Sequence, residues 1–268
     1  MLRAFHPFNV PADARTLTLS REESFHLVKV LRARSDEPIH AFDGRGNVWD
    51  ARPISGDARA LTLEIVSREH IAPPKCSLAL ALALPKGSLA DEIVRSATEI
   101  GMAEFFPILA ARSEVKLDAA RAGHKRSRWQ AIAVEACKQC GNPFVPEIFP
   151  VVSAKDFFEK MASPAASADA AGTISADAAG TLKLTASLER GARSCREVFA
   201  AFRTASDAGA APRKILWLVG PEGDFTAEEY ASARAAGFVP VRLGELVLRV
   251  PTAALYCLAV ADRIRSDF

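Results

Sequence analysis

No apolar run in this sequence approaches the length needed to cross a bilayer. The opening residues Met1-Leu2-Arg3-Ala4-Phe5-His6 lack the apolar stretch of a secretory leader, so the expectation is a cytoplasmic protein. Cysteine is scarce: five residues, an odd number and scattered, which excludes a disulfide framework. Cys137 and Cys140 have C-x-x-C spacing inside a helical pattern, but no second pair completes a zinc site. They read as small buried side chains, and no metal is expected. An excess of one charge is also missing. The net charge of +2 does not by itself announce nucleic acid. No G-x-G-x-x-G turn occurs in an early βαβ unit, which excludes the nicotinamide-dinucleotide fingerprint.

What is present is ordinary in bulk and specific in places. With 268 residues, 49% hydrophobic and 25% charged, the chain has room for one large domain or two ordinary ones. Residues 16–19, 38–42, 48–51 and 60–66 read as strands, and Asp43-Gly44-Arg45-Gly46 as a turn. Ser20 and Glu23 form a capping-box pattern opening a short helix with His26, Leu27, Val30 and Leu31. This is the pattern of a small, partly closed β-barrel with one helix, over residues 1–72. Pro73-Pro74 then marks a domain boundary. From 73 to 268 strands and helices alternate: strands at 77–84, 105–109 and 181–185, helices at 89–100, 128–139 and 194–202. That alternation predicts an α/β domain with a mostly parallel sheet and covering helices. An Ala/Ser-rich segment at about 162–180 reads as a mobile insertion. Charge is balanced over residues 1–72, ten basic against ten acidic, but residues 112–142 carry seven basic against three acidic. That excess suits phosphates or a solvated helix face, and charge alone favours the second.

The most informative stretch runs from Ile215 to Glu229. Five apolar residues (215–219) predict a strand covered on both faces. Gly220-Pro221-Glu222-Gly223 predicts a turn whose backbone a ligand can approach closely. Thr226 and Glu229 form a capping box that starts a helix at Ala227. A second such unit follows: a strand at 238–243, weakened by Pro240, then Gly244 and a helix from about Thr252 to Arg265. Two glycine turns at strand ends in one βαβ unit suggest one pocket with two walls.

These residues resemble the bacterial 16S ribosomal RNA uridine-N3 methyltransferases of the SPOUT class. The resemblance is carried by His26-Leu27-Val28-Lys29-Val30-Leu31-Arg32, Phe42-Asp43-Gly44, Lys86-Gly87, Ala97-Thr98-Glu99-Ile100-Gly101, Arg128-Trp129 and Glu135-Ala136-Cys137-Lys138-Gln139. Its strongest segments are Gly220-Pro221-Glu222-Gly223-Asp224-Phe225, Leu243-Gly244 and Leu248-Arg249. It implies a PUA-like N-terminal barrel that helps hold RNA and a C-terminal domain with a trefoil knot. It also implies a homodimer that uses S-adenosylmethionine to methylate N3 of a uridine in 16S rRNA, free or in the small ribosomal subunit. Carried over by position, the methyl-donor pocket uses Leu218, Gly220, Pro221, Glu222, Gly223, Leu243, Gly244 and Leu248. Arg249 is the candidate catalytic cation, for charge developing on the uracil carbonyl oxygens. Lys29, Arg32, Lys86, Arg95 and Arg112 are the candidate RNA contacts. No histidine is well placed as a general base. Pro251 stands where relatives usually carry glutamate, and Asn142 where they often carry a basic residue. The missing carboxylate keeps open a non-catalytic RNA-binding protein on the same fold. A SPOUT methyltransferase with another RNA target is the second alternative.

Overall fold

A computed structural model describes residues 2–34, 37–162, 176–177, 180–205 and 211–265. The Ala/Ser-rich segment lies largely outside the described residues. The chain divides into two compact units, Met1–Pro74 with Ala133–Val145, and Lys75–Ile132 with Pro146–Phe268.

The first unit holds a five-stranded sheet of β1 (Leu2–Phe5), β2 (Thr16–Thr18), β3 (Ile39–Phe42), β4 (Asn47–Pro53) and β5 (Thr62–His70), in the order β1-β3-β4-β5-β2. Only β1 and β3 pair in parallel. Strand β1 is too short and too weakly alternating to stand out in the sequence. Between β2 and β3 lie α1 (Arg21–Phe25) and a π-helical turn, His26–Val30. Ser20 caps α1 by accepting from Glu23 N. The reciprocal half of the expected capping box is absent, because the Glu23 carboxylate accepts instead from Phe5 N and Lys138 Nζ. The core of this unit is Leu17, Leu27, Ile39, Trp49, Leu61 and Leu63 with their neighbours. Its β3–β4 turn is built on the buried Asp43, whose carboxylate accepts from Arg45 N (2.8 Å), Asn47 N (3.1 Å) and Asn47 Nδ2 (2.6 Å). The positive φ of Gly44 and Gly46 completes the turn.

The second unit contains an eight-stranded sheet whose recorded pairings are all parallel. Its strands are β6 (Ser77–Ala83), β7 (Met102–Leu109), β8 (Glu147–Ile148), β9 (Val152–Ser153), β10 (Thr181–Ala186), β11 (Arg193–Ser194), β12 (Lys214–Val219) and β13 (Val239–Arg242). The order is β11-β13-β10-β12-β6-β7-β8, with β9 also on β7. The helices are α2 (Leu89–Glu99), α3 (Ala119–Cys140), which continues into the first unit, α4 (Ala154–Met161), α5 (Cys195–Ala205), α6 (Ala227–Ala235) and α7 (Val250–Arg265). Strand β6 alternates leucine and alanine, so its two faces differ. Ala79, Ala81 and Ala83 join the cluster holding Phe157, Phe158, Phe225, Tyr230 and Phe238, on the side of α4 and α6. Leu78, Leu80 and Leu82 point the other way, where α7 packs on β6 and β12 and against α2.

Several elements differ from the sequence reading. Helix α3 starts at Ala119 instead of Arg128, and α7 at Val250 instead of Thr252. Proline at the second position of α7 costs little, since no intrahelical partner waits for its missing N–H. Strand β13 lies inside the sheet despite Pro240. Its neighbour β11 pairs only from Val241 onward, so the proline removes no bond on that side.

Candidate methyl-donor cavity

Strands β13, β10 and β12 lie side by side and parallel, so their carboxyl ends meet at one edge of the sheet. A cavity of about 570 Å³ opens there, where open parallel sheets take ligands. Three chain segments wall it: Ala186–Leu188 after β10, Val219–Glu222 with Asp224 after β12, and Arg242–Gly244 with Leu246–Pro251 after β13, with Leu89 of α2 at one side. Two of these walls follow from the glycine turns. The third, after β10, was invisible, because chain order does not reveal that β10 sits between β12 and β13.

Of the residues expected here, Gly220, Pro221, Glu222, Leu243, Gly244, Leu248 and Arg249 line the cavity. Leu218 does not. Its side chain is fully buried in the cluster beneath α4 and α6, as strand alternation from Val219 requires. Gly223 also lies off the cavity wall. Its carbonyl accepts from Arg112 Nη1 at 2.9 Å, and a Cβ there would come 3.2 Å from Arg112 Cβ. Asp224, Leu246 and Val247 line the cavity unforeseen, and Leu246 and Val247 are 80% and 76% exposed. Exposed aliphatic side chains at a cavity mouth offer an apolar wall to a ligand.

The charged groups divide clearly. Arg249 ends the loop at the start of α7, where its carbonyl accepts from Ala253 N. Its guanidinium is exposed and has no hydrogen-bond or ion-pair partner among the described residues. Lys86 is paired with Glu114 at 2.6 Å, which raises its pKa above the ordinary lysine value, and its backbone N–H donates to Glu222. Arg112 braces the glycine turn through the carbonyls of Gly223 and Phe225. Arg95, Lys29 and Arg32 are exposed, the last at φ 54°. Much of the basic excess at 112–142 is spent internally. Arg126 donates to Ile148 O, Arg128 pairs with Asp91, and the buried Lys138 pairs with Glu23 and Glu135. Cys137 is buried, which pushes its thiol up to about 12.

The RNA methyltransferase domain matches this chain over residues 72–262, and the RNA methyltransferase PUA domain over residues 19–66. The chain belongs to the RNA methyltransferase family. It is 32% identical to ribosomal RNA small subunit methyltransferase E of Synechocystis, over 91% of this chain and 72% of that protein. To the Bacillus subtilis protein of the same name it is 30% identical, over 92% and 90%. Among solved structures of the family, it resembles ribosomal RNA small subunit methyltransferase E from Neisseria gonorrhoeae bound to S-adenosyl methionine. That match has a TM-score of 0.79 and 28% identity, covering 97% of this chain and 96% of that one. The parallel sheet with covering helices and the small PUA-like sheet are as the resemblance implies. Among the described residues no helix is long and apolar enough to cross a membrane.

Proposed function

We propose that this protein is an S-adenosylmethionine-dependent methyltransferase acting on N3 of a uridine in 16S rRNA of the small ribosomal subunit. The observation that carries this reading is the unpaired Arg249 guanidinium at the edge of a cavity walled by three strand ends. The cavity suits the donor chemically. Leu243, Leu246, Val247 and Leu248 supply apolar wall for an adenine ring, and Gly244, with nothing within 4 Å of where a Cβ would stand, leaves its backbone open to its polar edge. Glu222 and Asp224, with Arg242 and Arg249, give both charge signs to a ligand that carries a sulfonium and a zwitterionic amino-acid end. Relatives with this fold, such as the Neisseria gonorrhoeae enzyme, have been solved with that ligand.

When bound, the donor supplies an electrophilic methyl group. The uracil N3 proton passes to water, and negative charge spreads to the two flanking carbonyl oxygens. Arg249 stabilises that charge as it develops, in a site whose parts are already in place. Access to N3 requires the uridine to leave its stack. Lys29, Arg32 and Arg95 remain the exposed cations for phosphate contact, whereas the Lys86 ammonium is paired with Glu114 and Arg112 braces the glycine turn. The protein works in the cytoplasm as a knotted homodimer. Arg249→Ala is expected to leave S-adenosylhomocysteine affinity nearly intact while lowering single-turnover methyl transfer about a hundredfold. Wild-type rates in that variant reject the role.

Pro251 lines the cavity and brings no carboxylate there, which favours a second reading as an RNA-binding protein without transfer. Donor affinity without any methylation of 16S rRNA or of small subunits by the wild-type protein selects that reading.

A further inference from the structure

We propose that Tyr230 is a positioning residue for this cavity: its hydroxyl holds Asp224 in a left-handed conformation and thereby fixes the turn that forms the β12 wall. The inference rests on the reading of the cavity as the methyl-donor site. Asp224 has φ 58°, a region that residues with a Cβ disfavour and glycine does not. Its Oδ1 accepts from Phe225 N at 2.8 Å and from the Tyr230 hydroxyl at 2.7 Å. The same oxygen lies against Gly220, where a Cβ would come within 3.4 Å of it and 3.3 Å of the Phe225 ring. Asp224 N in turn donates to Pro221 O at 2.9 Å, closing the turn. The carboxylate therefore organises the whole run from Gly220 to Phe225.

Tyr230 is suited to hold it. It is 4% exposed and sits in α6, a helix anchored by a complete Thr226/Glu229 capping box. Its ring packs edge-on to Phe225 at 5.6 Å. Burial, reinforced by the Asp224 carboxylate, pushes the phenol's pKa up, so the hydroxyl keeps its proton and remains a donor. The hydroxyl also lies within reach of the Ser187 side chain and the Leu188 backbone, which belong to the β10 wall. Ser187 N donates to Val241 O in β13 at 2.9 Å. One phenol thus stands where the β12 and β10 walls meet, beside the serine that is bonded to the strand leading into the third.

A glycine at position 224 would adopt the same φ without a partner. This makes the dependence on Tyr230 separable from general stability. Four proteins are compared by calorimetry with S-adenosylhomocysteine: wild type, Tyr230→Phe, Asp224→Gly and the double variant. Tyr230→Phe is expected to weaken binding about tenfold beside Asp224, the scale of one hydrogen bond to a charged group, and less than about twofold in the Asp224→Gly background. Equal losses in both backgrounds, or none in either, overturn the proposal. Should Tyr230→Phe not fold, Asp224→Asn weakens the acceptor while tolerating the left-handed region. It is expected to lose affinity about threefold, and no loss overturns the proposal. Absence of binding by the wild type refutes the methyl-donor reading instead. The proposal is then read from amide exchange in the free protein. Tyr230→Phe is expected to speed exchange at Asp224 and Phe225 in the wild-type background, and to leave exchange at Phe225 unchanged in the Asp224→Gly background. Unchanged exchange in the wild-type background overturns it.

Discussion

At the scale of single residues, buried carboxylates set both loops and pH response. Asp43 holds its turn through four donated hydrogen bonds, two from Arg45 and two from Asn47. Burial alone would raise its pKa, but these donors outweigh burial and hold it below the ordinary value of 3.8. A carboxyl depressed in the folded state stabilises fully above its unfolded pKa and loses that contribution as pH falls through the folded one. Asp43→Asn is therefore expected to cost about 2 kcal/mol near neutrality, with the N–H donors of Asn47 and Arg45 less well satisfied. The difference from wild type in urea unfolding should shrink as pH falls from about 6 to about 2.5. A pH-independent difference would show that the charge of Asp43 does not matter. The Asp43-Gly44-Arg45-Gly46 turn was legible because Asp-Gly chemistry is local. The pairing of Tyr230 with Asp224 was not, since nothing local marks which buried phenol will find a partner.

At the scale of elements, one lysine ties three pieces together. Lys183 in β10 is 4% exposed, and its ammonium donates to Met161 O at the end of α4 and Ala236 O at the end of α6, while pairing with Asp177 at 3.1 Å. Two helix carbonyl ends and one carboxylate surround one cation. Lys183→Met removes it and leaves Asp177 buried without that cation. The expected loss is about 3 kcal/mol in denaturant unfolding, and a loss below about 1 kcal/mol would mean the site readily reorganises. The sequence revealed β6, α2, β12, α6 and β13 through unbroken apolar runs, helical spacing and caps. It hid α4, although Ser153 and Asp156 give that helix its start, with Ser153 accepting from Asp156 N at 3.1 Å. Strand β10 was legible as a strand but not as the neighbour of both β12 and β13. Sheet order depends on long-range pairing, which no local pattern encodes.

At the scale of the molecule, the first unit is not a continuous piece of chain. Residues 133–145 complete it. Arg3 donates to Lys138 O and Gln139 O, Val145 N to Gly44 O, and Gly46 N to Pro143 O, while Lys138 pairs with Glu23. A protein consisting of residues 1–74 alone lacks all of these partners. It is expected to give poorly dispersed amide resonances and no cooperative melt, and a well-dispersed spectrum would show that strands β1–β5 suffice. The sequence reading placed a domain boundary at the double proline, 73–74, and the first segment of this unit runs to Pro74. The return of the chain through α3 had no sequence signal, because a helix pattern does not say which half of it packs where.

The three walls of the cavity come from residues 186–188, 219–224 and 242–251. The last of these is followed by α7, which packs over β6 and β12. A nascent chain therefore lacks one wall of the cavity until residues 242–251 have been made. On the proposed reading of the cavity, products terminated before residue 242 lack one of its walls and should be unable to sequester the cell's methyl donor.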